Sequence, residues 1–288
     1  MDGKLRLKAA ALSLLFLIAL VVTWQVATQP AAVTVKKMTA AEAEYAELMG
    51  KGPDTGGDAA KTNGFPTPEQ FLRVARERLA HPFYDNGPND KGVGIQLAYS
   101  LARVAVGFLC AVLVAVPLGF LIGMSPLLHR ALDPFIQILK PISPLAWMPI
   151  ALYTIRDSSV SGMFVIFICA IWPMLLNTAF GVANVRKDWL NVARTLEVKP
   201  LRLAFRVILP AAAPTIVTGM RISMGIAWLV IIAAEMLIGG TGIGYFVWNQ
   251  WNNLSLSDVI FAVLLIGLVG MALDMLFARL QRKVTYAE

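Results

Sequence analysis

Charge is scarce in this chain: Asp, Glu, Lys and Arg together make up 15% of its 288 residues, against about 25% in ordinary soluble domains. That shortage argues against a surface built to face water on all sides. Cysteine and histidine are equally sparse, with two of each. Cys110 and Cys169 lie inside apolar runs, the setting of buried free thiols rather than of a disulfide framework. His81 and His129 stand alone, and no His or Cys spacing matches a metal site. No G-x4-G-K-[ST] occurs, so the chain cannot cradle ATP phosphates in that way. The glycine cluster Gly239, Gly240, Gly242 and Gly244 lacks the lysine and follows an apolar run rather than a strand, so it reads as a turn at the external surface. The formal charge is +7, but the basic residues gather beside apolar runs. Membrane topology accounts for them there better than nucleic acid does.

What is abundant is apolar sequence, 57% of the chain, and it is clustered. Several runs approach or exceed the roughly 20 residues that cross a bilayer as a helix. Lipid offers a backbone no partners, so helices are the economical reading; a transmembrane barrel would show short alternating segments instead. The spans fall at about 9–27, 95–122, 132–155, 160–182, 213–238 and 259–280, which predicts an all-α membrane protein of six transmembrane helices. Lys4, Arg6 and Lys8 precede the first, and the flank after Val22 lacks a small-x-small cleavage site, so it reads as an uncleaved anchor. Pro141, Pro144 and Pro149 predict a kinked or broken third span. Pro173 interrupts the fourth, and Ser257 is the expected cap of the sixth, just before Asp258.

Residues 29–92 are the long hydrophilic region. Its first part is rich in Ala, Gly, Asp and Lys and reads as flexible. Pro66-Thr67-Pro68 then opens a helix in which Thr67 can cap, Pro68 suits the first turn, and Phe71, Val74 and Leu79 give a partial apolar face. Such a segment belongs at a membrane surface, or else is a small soluble helix packed on a loop. The expected division is an anchor (1–28), an external loop with this helix (29–94), a membrane core (95–280) and a tail (281–288).

Lys and Arg set the orientation. Arg130 and Lys140 lie between or at the entry of spans two and three. Arg186, Lys187, Arg194, Lys199, Arg202 and Arg206 lie between spans four and five, and Arg279, Arg282 and Lys283 end span six. The short alternate loops hold only Arg156 after span three and no Lys or Arg from Gly239 to Ser257, while the long external 29–92 loop carries mixed charge and its length weakens its vote. Both termini are therefore expected in the cytoplasm.

The cytoplasmic loop between spans four and five is too patterned for a connector. From Asp188 it reads DWLNVARTLEVKPLRLAFRVILP. Trp189, Val192, Ala193 and Leu196 fall at i, i+3, i+4 and i+7 and share one helix face. Pro200 suits the start of a second helix, in which Leu201, Ala204, Phe205 and Ile208 repeat the spacing. Two short helices with exposed apolar faces suit a partner's groove; headgroup contact is the alternative.

This loop resembles the EAA loop of ABC importer permeases, roughly E-A-A-x3-G-x9-I-x-L-P. Aligned on Leu209-Pro210, Asn191-Val192-Ala193 stand at E-A-A. Ala193 matches, Val207 replaces Ile, Asn191 replaces the glutamate and Glu197 the glycine. That glycine lets the chain turn left-handed between the helices, so Glu197 must find another turn or tolerate strain of about 1 kcal/mol or more. LAYSLARVAVGF, ILKPISPLAWMPIALY, TGMRISMGIAWLVIIAAEML and GTGIGYFVWNQWNNLSL are similar to the branch that imports nitrate, sulfonates, taurine and bicarbonate. NVARTL, AWLVIIAAEML and WNNLSL resemble the nitrate-type permeases in particular. The stretch from about 31 to 64 has no clear counterpart and reads as an insertion.

The resemblance implies a type I importer permease core in a bacterial inner membrane, with two permease copies forming the path for a small inorganic anion, nitrate first. It also implies a solute-binding protein outside and two cytoplasmic ATPase subunits that use the ATP, this chain binding no cofactor and catalysing nothing. The docking residues it implies are Trp189, Asn191, Val192, Ala193, Leu196, Glu197, Leu209 and Pro210. Of other classes, an ion-coupled carrier would show internal repeats, and a membrane enzyme would need a polar catalytic constellation; neither is evident.

Charges within the spans cost about 2.5–3.5 kcal/mol each at the bilayer centre on insertion scales, so they should face protein or water. Arg103, Arg221 and Glu235 are candidates for an anion path or for structural ion pairs. Depth permits an Arg103–Glu235 pair, whereas Arg221 lies roughly 21 Å from Glu235 along one helix and cannot reach it. Asp274 is expected near Arg279 in a structural role, and Trp147, Trp172 and Trp228 as packing residues.

Overall fold

The computed structural model describes residues 3–28, 65–87 and 90–285. These residues form helices joined by short turns, with one antiparallel bridge among them between Asp85 and Lys91. In chain order the helices are α1 (Gly3–Thr28), α2 (Pro68–Ala80), α3 (Val93–Met124), α4 (Pro126–Leu139), α5 (Pro144–Ile155), α6 (Ser158–Ala183), α7 (Lys187–Thr195) and α8 (Pro200–Leu203). A π-helical turn (Ala204–Ile208), α9 (Leu209–Ile238), α10 (Ile243–Asn252) and α11 (Leu256–Val284) follow. The expected insertion at 31–64 lies outside the described residues. The chain divides into two compact units, Met1–Ala80 with Gln250–Phe261, and His81–Asn249 with Ala262–Glu288.

Leu7–Thr28, Val93–Met124, Ser158–Ala183, Pro200–Ile238 and Leu256–Val284 are each long and apolar enough to cross a bilayer. α4 and α5 pass the same test as a pair but are bent by 91°. The prolines explain the bend. Pro141 falls in the break, Ser143 caps α5 by accepting from the Leu145 N–H, and Pro144 begins the new helix. The third span is thus two helices, with Pro149 inside the second.

The larger unit shows that this bent pair carries the chain across. A Cβ at Gly107 would meet Met163 and Ile166, one at Gly119 would meet Leu175 and Thr178, and one at Gly123 would meet Ala179 and Val182. Contacts that advance together along both chains make α3 and α6 parallel. Residues 125–157 must therefore return the chain to the level at which α3 began, which makes the bent pair the sixth candidate span among the described residues. α9 runs antiparallel to α6: Gly181 faces Ala212 and Thr215, Ser223 donates to the Ala170 carbonyl, and Gly162 faces Ile231 and Ile238. α11 runs antiparallel to α9, through Trp228 to the Ile266 carbonyl and Arg221 to Asp274. Close approach holds this bundle. At Gly119 a Cβ would sit 2.6 Å from the Leu175 carbonyl oxygen, so only glycine lets the two backbones meet, the usual means of packing helices in lipid.

Two local details differ from expectation. α11 begins at Leu256, so Ser257 lies inside its first turn; Ser255 precedes it and its hydroxyl donates to Asp258 at 2.6 Å. The second loop helix is not separate, because Pro200–Ile238 is one continuous helical stretch. Its π turn has a reason in the sequence. Pro210 brings no N–H and would crowd a carbonyl one turn back, and the wider turn, in which the Leu209 N–H reaches the Ala204 carbonyl, accommodates it.

Ahead of α3, the Lys91 ammonium donates to Asp85 at 2.8 Å. That bond, then the Gly87 N–H, holds the Asp85 carboxyl below its ordinary range.

Candidate functional site: the α7–α9 loop and the buried charges

α7 and the π turn stand on an apolar base of Val182, Val185, Ile208, Ala212 and Ile216, with Leu190, Leu203 and Leu209 packed against it. The other side is bare: Trp189, Val192 and Leu196 on α7 and just past its end, with Leu201 and Phe205 beyond, are all exposed. Five large apolar side chains facing outward on a short basic segment form a surface that water does not favour. Of the predicted face, Ala193 alone turns inward and is 5% exposed. It sits on the flank nearest Leu190, where a small side chain lets the helix lie close. Asn191 is exposed, Leu209 and Pro210 are half-buried in the following helix, and Arg186 lies over the Trp189 ring at 5.7 Å.

Glu197 occupies the left-handed conformation that a glycine would take, with φ 49°. The Val198 N–H donates to the Ala193 carbonyl at 3.1 Å and the Glu197 N–H to that of Arg194 at 2.9 Å. This is a Schellman turn made without glycine. Of the two options, the strained residue is the one realised.

At the opposite end of the bundle Arg103 and Glu235 form a pair, Nη1 to Oε1 at 2.8 Å. Glu235 also accepts from the Ser100 hydroxyl and from the Gly244 N–H at 3.0 Å. Arg103 donates further to the Thr241 carbonyl at 2.5 Å and to Ser159 at 3.0 Å. Ser100 in turn accepts from the Ile243 N–H, and Gln96 from the Gly242 N–H. The knot ties α3, the start of α6, the end of α9 and the 239–244 turn together. Gly242 has to be glycine because a Cβ there would collide with the Glu235 carboxylate; Gly239 and Gly240 take φ of 79° and 91°.

Arg221 grips Asp274 in a two-pronged pair, both bonds 2.6 Å. Asp274 is therefore the partner of Arg221 rather than of Arg279. Both span arginines singled out in the sequence are thus paired, and neither presents a free cation. Sequence reasoning missed Gln96, Ser100 and Ser159. A signal existed: Gln96, Ser100 and Arg103 recur at i, i+4 and i+7 on an otherwise apolar helix, one polar stripe on one face.

A helical bundle with five to six candidate membrane spans and an exposed apolar loop defines a multi-pass membrane protein. The chain belongs to the family described as "Binding-protein-dependent transport system inner membrane component", which matches residues 115–286. It is 47% identical over 226 residues to a nitrate import permease protein, NrtB, of Synechocystis sp., covering 78% of this chain and 82% of that one. It is 43% identical to a bicarbonate transport system permease protein, CmpB, of the same organism, covering 76% and 79%. To the taurine transport system permease protein TauC of Escherichia coli it is 30% identical, covering 76% and 78%. Among solved structures, an inward-facing MetNI methionine ABC transporter matches with a TM-score of 0.58 at 16% identity, covering 66% of this chain and 94% of that one. That likeness establishes the fold.

Proposed function

We propose that this chain forms the transmembrane path of an ABC importer for a small planar oxyanion, nitrate first, driven by ATPase subunits that grip the α7–π-turn loop. The observation that carries the substrate is the 47% identity with a nitrate import permease over most of both chains. The exposed patch of Trp189, Val192, Leu196, Leu201 and Phe205 supports the partner: it suits an apolar cleft, and α7 is rigidly based on the bundle, so it can transmit motion. In this reading the loop faces the cytoplasm with both termini, in accord with its arginines and lysines, and the membrane is the bacterial inner membrane. A second copy completes the path, and a solute-binding protein delivers the anion from outside. The chain catalyses nothing and holds no cofactor.

Bicarbonate is the second reading, favoured by the 43% identity with a bicarbonate permease. Nitrate and bicarbonate share a planar shape and a single charge. With Arg103 and Arg221 neutralised by their partners, selection between them rests with the delivering protein. Uptake of labelled nitrate and labelled bicarbonate by proteoliposomes with the cognate ATPase and binding protein separates the readings. Nitrate uptake that unlabelled bicarbonate does not compete away is expected; bicarbonate uptake alone overturns the first reading.

A further inference from the structure

The smaller unit holds a feature that transport does not explain. α2 is a short helix closed by a reciprocal cap: the Thr67 N–H donates to Gln70 Oε1 at 3.0 Å and the Gln70 N–H to Thr67 Oγ1 at 3.3 Å. It is fastened at two points. Near its start, Phe71 and the preceding Phe65 lie against the Trp24 ring at 5.7 and 6.2 Å, and the Trp24 N–H donates to the Pro66 carbonyl at 3.0 Å. Near its end, Arg78 donates to Asp258 at 2.8 Å.

Those two anchors fix a depth. Trp24 lies four residues before the end of α1, and Asp258 two residues after the start of α11. Both helices are long and apolar enough to span, so both anchors mark the rim of the bilayer on the same side. A tryptophan with its ring on apolar neighbours and its N–H satisfied suits that level. A helix tied to two points of like depth, seven residues apart along it, runs along the membrane surface rather than into it.

Its faces agree with that placement. At about 100° per residue, Phe71, Ala75, Leu72 and Leu79 fall within an arc of about 100°, so the side that meets α1 also carries the two exposed leucines. Leu72 is 64% and Leu79 58% exposed. Glu69, Arg73, Arg76 and Glu77 lie on the next strip round the helix and are exposed as well. α1 is bare in the same way, with Leu12, Leu15, Phe16 and Leu20 all more than half exposed, and lipid is what covers a spanning helix.

We infer that α2 is an interfacial helix whose Leu72 and Leu79 enter the acyl region of a phospholipid leaflet while Arg73 and Arg76 lie at the phosphates. The charged strip balances two arginines against two glutamates, so the attachment is apolar and independent of anionic lipid.

Spin labels at Leu72→Cys, Leu79→Cys and Glu77→Cys test this in the full chain, with Cys110→Ala and Cys169→Ala. The protein is reconstituted in vesicles of phosphatidylcholine alone and of phosphatidylcholine with phosphatidylglycerol. The labels at 72 and 79 should relax several-fold more with oxygen than with a water-soluble nickel chelate, the label at 77 should show the reverse, and the two lipid compositions should agree. Bimane at the same positions gives a second reading, quenched by nitroxide-bearing lipid at 72 and 79 only. Nickel access at all three positions, meaning a helix in water, overturns the inference. So does exclusion of both reagents at 72 and 79, meaning a protein partner, or a depth that appears only with phosphatidylglycerol.

Discussion

At the scale of single residues, the informative positions are those where a local rule is broken. Glu235 is a buried carboxylate in an apolar bundle, tolerated because Arg103, Ser100 and Gly244 all donate to it. Breaking such a pair from one side strands the other charge, at about 3–5 kcal/mol. Glu235→Leu and Arg103→Met should therefore each lower the thermal midpoint of the purified protein markedly. The double variant should lose clearly less than their sum, because neither charge is then stranded; strict additivity would show that the pair is not coupled. Glu197 breaks the other rule, since a left-handed conformation costs a side chain about 1 kcal/mol. Glu197→Gly relieves it, and a gain of about 1 kcal/mol corresponds to roughly fivefold slower hydrogen exchange at the amides of 197 and 198. Unchanged exchange would mean that the turn carries no strain.

At the scale of elements, the loop divides into a side that holds and a side that is offered. Val192→Asp and Leu196→Asp alter exposed positions and should abolish co-purification of the ATPase while leaving the thermal midpoint within about 0.5 kcal/mol equivalent of the parent. Ala193→Asp places a charge at an inward position beside Leu190 and should destabilise the loop itself. A stable Ala193→Asp protein, or an intact complex with Val192→Asp, would invert this assignment. The sequence showed the shared face of Trp189, Val192, Ala193 and Leu196, but helical spacing gives directions and not what lies behind them. Only packing shows that Ala193, at the flank of the face, turns inward. The spans were legible because their apolar runs are long. The join of the second loop helix to α9 was not, because the π turn that absorbs Pro210 has no pattern of its own. Depth permitted the Arg103–Glu235 pair without requiring it, whereas Arg221–Asp274 had no such signal, since it depends on how α9 and α11 are rotated against each other.

At the scale of the molecule, the larger unit pairs its span arginines internally and leaves the apolar side of its loop exposed. Span arginines are neutralised within the chain, close glycine contacts lock α3 to α6, and the loop that projects from the far end of α6 and α9 stands on the same packed helices. A loop that stands on packed helices can pass a pull into the larger unit, which is what the proposed drive by separate ATPase subunits requires. The most direct measurement is ATP hydrolysis by the cognate ATPase assembled with this chain in proteoliposomes, with and without nitrate-loaded binding protein. Hydrolysis should rise with the loaded binding protein and fall to its unstimulated rate when Leu196→Asp replaces the parent chain. Nitrate uptake that proceeds with no ATPase present, or stimulation that survives Leu196→Asp, would contradict the account.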